Sequence, residues 1–542
     1  MANANLMSLS VELYQAILWY LGVPDRTRML RVGKVLFQVS LPVAWYEVYG
    51  LDALFLLLPV EISETLFEGS SIKHVRIIAS QLDKTPSQLQ AYATNIRILR
   101  LCSPKLFRYK LLDVEKLDRV LPTPNLEKLT ISPSRTNLDQ PISKLVIQTL
   151  QLCMTDNVKC LELIHTSTAL RFESAALRLE IKSTLAQLRL LPKIQHLHLG
   201  LDFLGAVHAE AASPLSRFQG FDQLTYLSAP PYILIPNIIG IEHIARLPNL
   251  ARLHLEGWHG EFLIPRSFPS RPPASQIWFP NLREIDFDGV DSDRAYILLS
   301  STLPEQLRCV KLKLNDQGQE ILPGWDQMID RVIESISQHR DTLEELKLEH
   351  SKDSIKVLSH NVIPVLFELN SLHSLEVTRF RIEHLGQTAF MTAWPLLTKL
   401  HWLDQIIDPQ TLMTLAQQRP LIEELAFTIS PWIKDELPPP GFPQPAPKNR
   451  HMSLSEVREN WYLLSERSVR FTARFMIAGF SDELVSAMAR YFVWCWRGVE
   501  LYRVAPARQC EGPKWRDQDA IRYSRLLVDV SAARARLYAR LG

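Results

Sequence analysis

His196 and His198, in HLHL (196–199), have the sharpest metal-ligand spacing in this 542-residue chain. Two residues apart on a strand, they share one side. Two neutral imidazoles on one side can hold a transition metal. The outward positions of a half-buried strand are filled as readily by His, Lys or Glu facing water. The expectation is a solvated face and no metal. DFDGVDSD (286–293) is rich in carboxylates, but it lacks the calcium-loop spacing that ends in Glu. Its Asp and Gly residues predict a turn after a strand.

The six cysteines, Cys102, Cys153, Cys160, Cys309, Cys495 and Cys510, form no CxxC pair. No His stands at a zinc-finger offset from a cysteine pair, so reduced, mostly buried thiols are expected. They suit a cytosolic or nuclear chain. GxxxxGK[ST], GxGxxG, GxSxG and HExxH do not occur. No catalytic residue, metal or cofactor is expected.

The elements around these residues repeat. NLARLHL (249–255) has apolar second, fifth and seventh positions. The phrase returns as SIKHVRI from 71, NIRILRL from 95, NLEKLTI from 125, NVKCLEL from 157, KIQHLHL from 193 and QLTYLSA from 223. It continues as NLREIDF from 281, QLRCVKL from 306, TLEELKL from 342, SLHSLEV from 371, LLTKLHW from 396 and LIEELAF from 421. Thirteen copies from 71 to 421 give a mean period of about 29 residues, with gaps of 24 to 36. The alternating positions predict a strand with one buried face. The gaps leave room for helices, as in GWDQMIDRVIESISQH (324–339) and DPQTLMTLAQQRP (408–420). A strand and a helix per unit define a leucine-rich-repeat solenoid of class α/β. A plain α/β domain whose strands share a composition is the weaker account, because thirteen copies keep one register.

The apolar share of 46% supports folded structure, and a net charge of +2 points to neither nucleic acid nor an anionic membrane. The N-terminus has no basic residue ahead of its first apolar run, unlike a signal peptide. LDALFLLLPV (51–60) is about half the length of a membrane span. ELPPPGFPQPAP (436–447) predicts a loop or linker. Beyond it, SDELVSAMARYFVWCWRG (481–498) predicts a helix capped by Ser481, and VELYRV (499–504) a further strand. Residues 490–542 carry eleven basic against five acidic side chains. Arg522, Arg525, Arg534, Arg536 and Arg540 lie along an expected last helix. Few aromatics accompany them, so a solvated face is expected rather than an RNA platform. The insertion 257–279 carries Trp258, Phe262, Phe268 and Trp278, candidate anchors for a protein substrate or flank packing.

The N-terminal stretch LSVELYQAILWYL (9–21) places Ile17, Leu18 and Leu21 along one side of a helix. Pro24 and Asp25 end it and start a second, over 26–40, with Met29, Val32, Leu36 and Phe37 at helical spacing. Trp45 follows. This pattern resembles the F-box. Leu9, Glu12, Leu13, Ile17, Leu18 and Leu21 match its first part, and Val32, Lys34, Leu36 or Phe37, and Trp45 its second. Ser10 stands where the family usually has Pro, and Gly33 where Cys or Ser is typical. An F-box followed by repeats resembles the irregular leucine-rich F-box proteins, especially the F-box-like proteins of fungi.

The resemblance implies an F-box-like helical domain at 1–50, the solenoid at 51–435, a proline-rich linker at 436–450 and a terminal repeat or cap at 451–542. It implies docking on a Skp-type adaptor of a cullin ubiquitin ligase, with the repeats holding a protein substrate. Leu9, Val11, Leu13, Ile17, Leu18, Leu21, Val32 and Trp45 are the adaptor-binding candidates, some of which only hold the helical core. The alternative is a repeat scaffold whose N-terminus is merely a cap. A catalytic or GTPase-regulating repeat protein would need a positioned Arg or Asn, and nothing local marks one.

Overall fold

Burying the second, fifth and seventh residues of each phrase requires a neighbouring strand on either side, and stacked strands supply it. The computed structural model describes residues 10–50, 60–67, 70–77, 92–101, 109–112, 123–132, 155–164, 191–200, 221–229, 244–256, 278–302, 306–315, 325–351, 355–382, 393–407, 415–429, 470–475, 500–506 and 528–532, less scattered positions. It forms two units, Met1–Leu282 and Arg283–Gly542.

The first unit opens with α1 (Val11–Tyr20), α2 (Val23–Met29) and α3 (Lys34–Ala44). Its strands are β1 (Glu47–Tyr49), β2 (Val60–Phe67), β3 (Ser70–Ile77), β4 (Ile98–Leu101), β5 (Tyr109–Leu112), β6 (Lys128–Ile131), β7 (Cys160–Leu163), β8 (His196–Leu199), β9 (Tyr226–Ala229) and β10 (Arg252–Glu256). β1, β4, β6, β7, β8, β9 and β10 form one parallel ladder in that order. One expected repeat strand lies elsewhere. SIKHVRI falls in β3, which pairs antiparallel with β2 and parallel with β5 in a separate three-stranded sheet. A hairpin partner two residues away captured it, and β1 is the ladder strand beside β4 instead.

The second unit contains β11 (Glu284–Val290), α4 (Ser292–Ser300), β12 (Cys309–Leu314), α5 (Trp325–Ser337), β13 (Glu345–His350), β14 (Lys356–Val357), α6 (Val362–Phe367), β15 (Ser374–Thr378), β16 (Phe380–Arg381), β17 (Lys399–Ile407), β18 (Glu424–Ile429), β19 (Arg470–Phe475) and β20 (Glu500–Pro506). From β11 to β20 the ladder runs parallel throughout, with β14 and β16 paired apart from it. α5 realises the helix expected at 324–339, and β20 the strand expected at 499–504. Leu415 and Ala416, within the other expected helix, are helical and buried.

The other twelve phrases bury all three apolar positions, from Ile96, Leu99 and Leu101 to Ile422, Leu425 and Phe427. At about 25 cal/mol per Å² of apolar surface, these rows are the main stabilising term of each ladder. Polar groups index the stack. The Glu127 and Lys128 amides both donate to the Arg97 carbonyl, and those of Lys159 and Cys160 to Glu127. The residue opening a phrase ties it to the preceding turn: Asn125 donates its side-chain amide to the Thr94 carbonyl (2.8 Å) and Asn249 to Asp222 (2.7 Å). Ser371 does so with its hydroxyl toward Asp341 (2.8 Å).

DFDGVDSD is not the turn expected. DFDGV lies within β11, and Gly289 takes φ 85° at a bulge between Asp288 and Val290. Trp278, offered as a substrate anchor, is only 2% exposed and belongs to the core. Trp258, Phe262 and Phe268 lie outside the described residues, as do the proline-rich run, the helix expected at 481–498 and the five C-terminal arginines.

Candidate functional site

The N-terminal helices have two apolar sides. Ser10 caps α1, its hydroxyl accepting from the Leu13 amide at 3.3 Å. Serine in place of the F-box proline is thus a working N-cap. Tyr14 and Leu18, one turn apart, are buried with Leu36 and Val43. Leu21, Met29 and Val39 pack against that cluster. Arg26 closes the end of α1, its guanidinium donating to the carbonyls of Leu18 (3.0 Å), Leu21 (2.9 Å) and Trp19 (2.7 Å).

The adaptor-binding candidates separate into three groups. Leu18 and Leu21 serve the helical core. Trp45 lies against Tyr92 with ring centroids 4.9 Å apart and planes tilted by 58°, joined by Phe37 edge-on at 6.0 Å, so it faces the segment leading into β4. Val11, Leu13, Ile17 and Val32 are 50, 51, 42 and 63% exposed, and Val35, not a candidate, is 56% exposed. Leu9 is outside the described residues. Ile17 was expected to share a side with Leu18 and Leu21. Tyr14 takes that inward place, one turn before Leu18, and Ile17 points away. The helix expected over 26–40 is two helices. α3 starts after Gly33, whose φ of 176° is ordinary extended backbone. A side chain there would meet open space, so the Cys or Ser of the F-box pattern it resembles would fit.

On the ladders, the outward positions of neighbouring strands line up. In the first unit one row runs Lys128, Cys160, His196, Tyr226 and Arg252, and the next Thr130, Glu162, His198 and Ser228. Glu162 is the hub. Oε1 accepts from Lys128 Nζ at 2.6 Å, and Oε2 from the Thr130 hydroxyl at 2.8 Å. His196 Nε2 lies 3.7 Å from Oε1, and Cys160 Sγ 3.8 Å from it. The His196 ring stacks on Tyr226 at 4.1 Å and 10°, and the Arg252 guanidinium covers the Tyr226 ring at 5.0 Å.

Burial raises the carboxyl of Glu162, but hydrogen bonds from Lys128 and Thr130, with the Lys128 and His196 charges, outweigh it and hold it below the usual range. Burial lowers the His196 imidazole against the pull of Glu162. Burial and the Glu162 charge push the Cys160 thiol up to about 11. This is an inert thiol beside an imidazole and a carboxylate, not an activated nucleophile. Among the described residues these three are the group whose spacing fits a metal ion. The repeat register was the signal for the pair: Cys160 and His196 both occupy the fourth position of their phrases.

In the second unit outward side chains pair opposite charges between neighbouring strands, either directly opposite or along a diagonal. Lys311 lies between Glu284 (3.7 Å) and Glu345 (3.4 Å), and Lys313 on Asp288 (2.8 Å). Lys347 meets Glu376 at 2.8 Å, and Lys399 lies between Glu376 (4.0 Å) and Glu424 (3.9 Å). Cys309 is half-buried and hydrogen-bonded to Glu345 (3.4 Å), its thiol pushed up to about 12 by burial and then by the Glu345 charge.

No protein-family profile matches the sequence, and no curated protein matches it either. Among solved structures it is similar to an internalin from Listeria monocytogenes, at 19% identity over 63% of this chain and 70% of that one, with a TM-score of 0.30. It is also similar to the plant peptide hormone receptor RGFR1 in complex with RGF2, at 11% identity over 77% of each chain, with a TM-score of 0.21. Likenesses this distant carry no argument. The parallel ladders and their buried leucine rows make the chain a leucine-rich-repeat solenoid with a small helical N-terminal domain. No helix among the described residues is long and apolar enough to cross a membrane.

Proposed function

We propose that this chain is a non-catalytic, protein-binding repeat scaffold, and that its N-terminal helices dock it on a Skp-type adaptor as the substrate receptor of a cullin ubiquitin ligase. One observation carries the docking step: Val11, Leu13, Ile17 and Val32 stay open to solvent while the domain closes its core without them. A helical cap would hide these side chains against the first repeat. The F-box resemblance supplies the partner. The chain's contribution is then proximity, holding a protein near a ubiquitin-charged enzyme and raising its effective concentration. Such a receptor works in the cytosol or nucleus and needs neither nucleic acid nor a membrane.

A second reading is a repeat scaffold with no link to a ligase, favoured by the packing of Trp45 and Phe37 on Tyr92, which is what a cap does. The deciding experiment is capture of the full chain by purified Skp-type adaptor, with Leu13→Asp and Ile17→Asp beside wild type. Both positions are exposed, so both variants should fold by circular dichroism. The receptor predicts capture of wild type and loss of at least about tenfold in each variant. A folded wild type that is not captured leaves the scaffold reading.

A further inference from the structure

The outward face of the first ladder carries a group that the docking function does not use. We infer that Cys160, Glu162 and His196 form a binding site for a zinc-class divalent metal ion. In tetrahedral zinc with ligands about 2.0–2.3 Å from the metal, neighbouring ligand atoms lie about 3.3–3.5 Å apart. Here Glu162 Oε1 stands 3.7 Å from His196 Nε2 and 3.8 Å from Cys160 Sγ, and all three atoms fall within 4.8 Å of one another. The two edges at Glu162 Oε1 need to close by a few tenths of an ångström, and the thiol–imidazole edge is within 4.8 Å.

Thiolate, imidazole and carboxylate together select zinc over magnesium or calcium, which prefer all-oxygen sets. Two ligands have their orientation fixed from behind. The Thr130 hydroxyl holds Glu162 Oε2 at 2.8 Å, and the Tyr226 ring stacks on His196. Such supporting contacts preset ligand geometry. The fourth position is left for water.

Binding exchanges one set of partners for another. The metal gains bonds to Sγ, Oε1 and Nε2, and the Cys160 thiol proton goes to solvent. Lys128 Nζ, now 2.6 Å from Oε1, gives up that contact and returns to water. Lys128 is therefore a competitor that occupies the site when metal is absent. Substituting it should tighten metal binding, whereas a lysine with only a structural role would not affect it.

The test uses the full chain, stripped of metal and kept reduced, titrated with Co²⁺ and then with competing Zn²⁺. The readout is the near-ultraviolet charge-transfer band of cobalt–thiolate ligation. The expectation is a band saturating at one equivalent in wild type, abolished in Cys160→Ser, weakened at least about tenfold in His196→Asn, and tightened about tenfold in Lys128→Met. Cys309→Ser should behave as wild type. Absence of the band in wild type, its survival in Cys160→Ser, or unchanged affinity in Lys128→Met overturns the site. If Cys160→Ser or His196→Asn fails to fold by circular dichroism, wild type and Lys128→Met decide alone.

Discussion

The two ladders share their inward rows and differ in their outward ones. Inward, both units stack Leu, Ile, Val and Phe with almost no exposure. Outward, the second unit sets lysines between glutamates on neighbouring strands, so that its charges cancel in place. The first unit gathers a carboxylate, a thiol, an imidazole and a phenol ring around one point. The inward positions are held to one solution by packing. The outward positions carry little of the fold and are free to hold chemistry.

The largest effects should fall on what the units share. Leu161→Ala in the first and Leu346→Ala in the second should each cost about 2–5 kcal/mol, read by denaturant unfolding. A marked difference between them would break the idea of a common core. The helical domain gives a second contrast. Leu18→Ala should lose a similar amount, while Leu13→Ala should stay within about 0.5 kcal/mol, because only Leu18 is buried.

Smaller effects should separate the outward faces. Lys347→Glu places like charge beside Glu376 and should cost about 0.5–1 kcal/mol, most of it vanishing at 1 M salt. Leaving the Asp222 carbonyl without its Asn249 partner, by Asn249→Ala, should cost about 1 kcal/mol regardless of salt.

The smallest concerns pH. Cys160 and Cys309 are raised in the folded chain, so unfolding frees protons that folding retains. Their contribution is present below the ordinary thiol value of 9.0 and is lost as pH rises from there through about 11 and 12. The double variant Cys160→Ser, Cys309→Ser should show a flatter decline in stability above pH 9 than wild type, by thermal unfolding.

Much of the ladder was legible because a strand phrase with three fixed apolar positions has one way to stack. What escaped depended on contacts the phrase does not encode. SIKHVRI fits the phrase, yet a hairpin with β2 claimed it. β19 was missed for the opposite reason. Its register puts Ala473 opposite Phe427, and Ser468 stands where an apolar residue would open the phrase, so the pattern is broken. On α1, helical spacing put Ile17 on one side with Leu18 and Leu21, and only packing decided that Tyr14 and Leu18 turn inward and Ile17 outward. The Cys160–His196 juxtaposition was readable from register alone. The aim of Glu162 at both was not, because it depends on Thr130 and Lys128 across the next strand.

The carbonyl shared by two amides at the starts of the ladder strands from β4 to β10 and from β12 to β18 means that each of these repeats takes its register from the previous one and not from the loop between them. Loop length is thereby uncoupled from strand alignment, and doubling a loop costs only about 0.6 kcal/mol in closure entropy. A peptide tag spliced between Ile164 and Leu191 would leave β7 and β8 in step, which makes that interval a natural point for attaching a reporter.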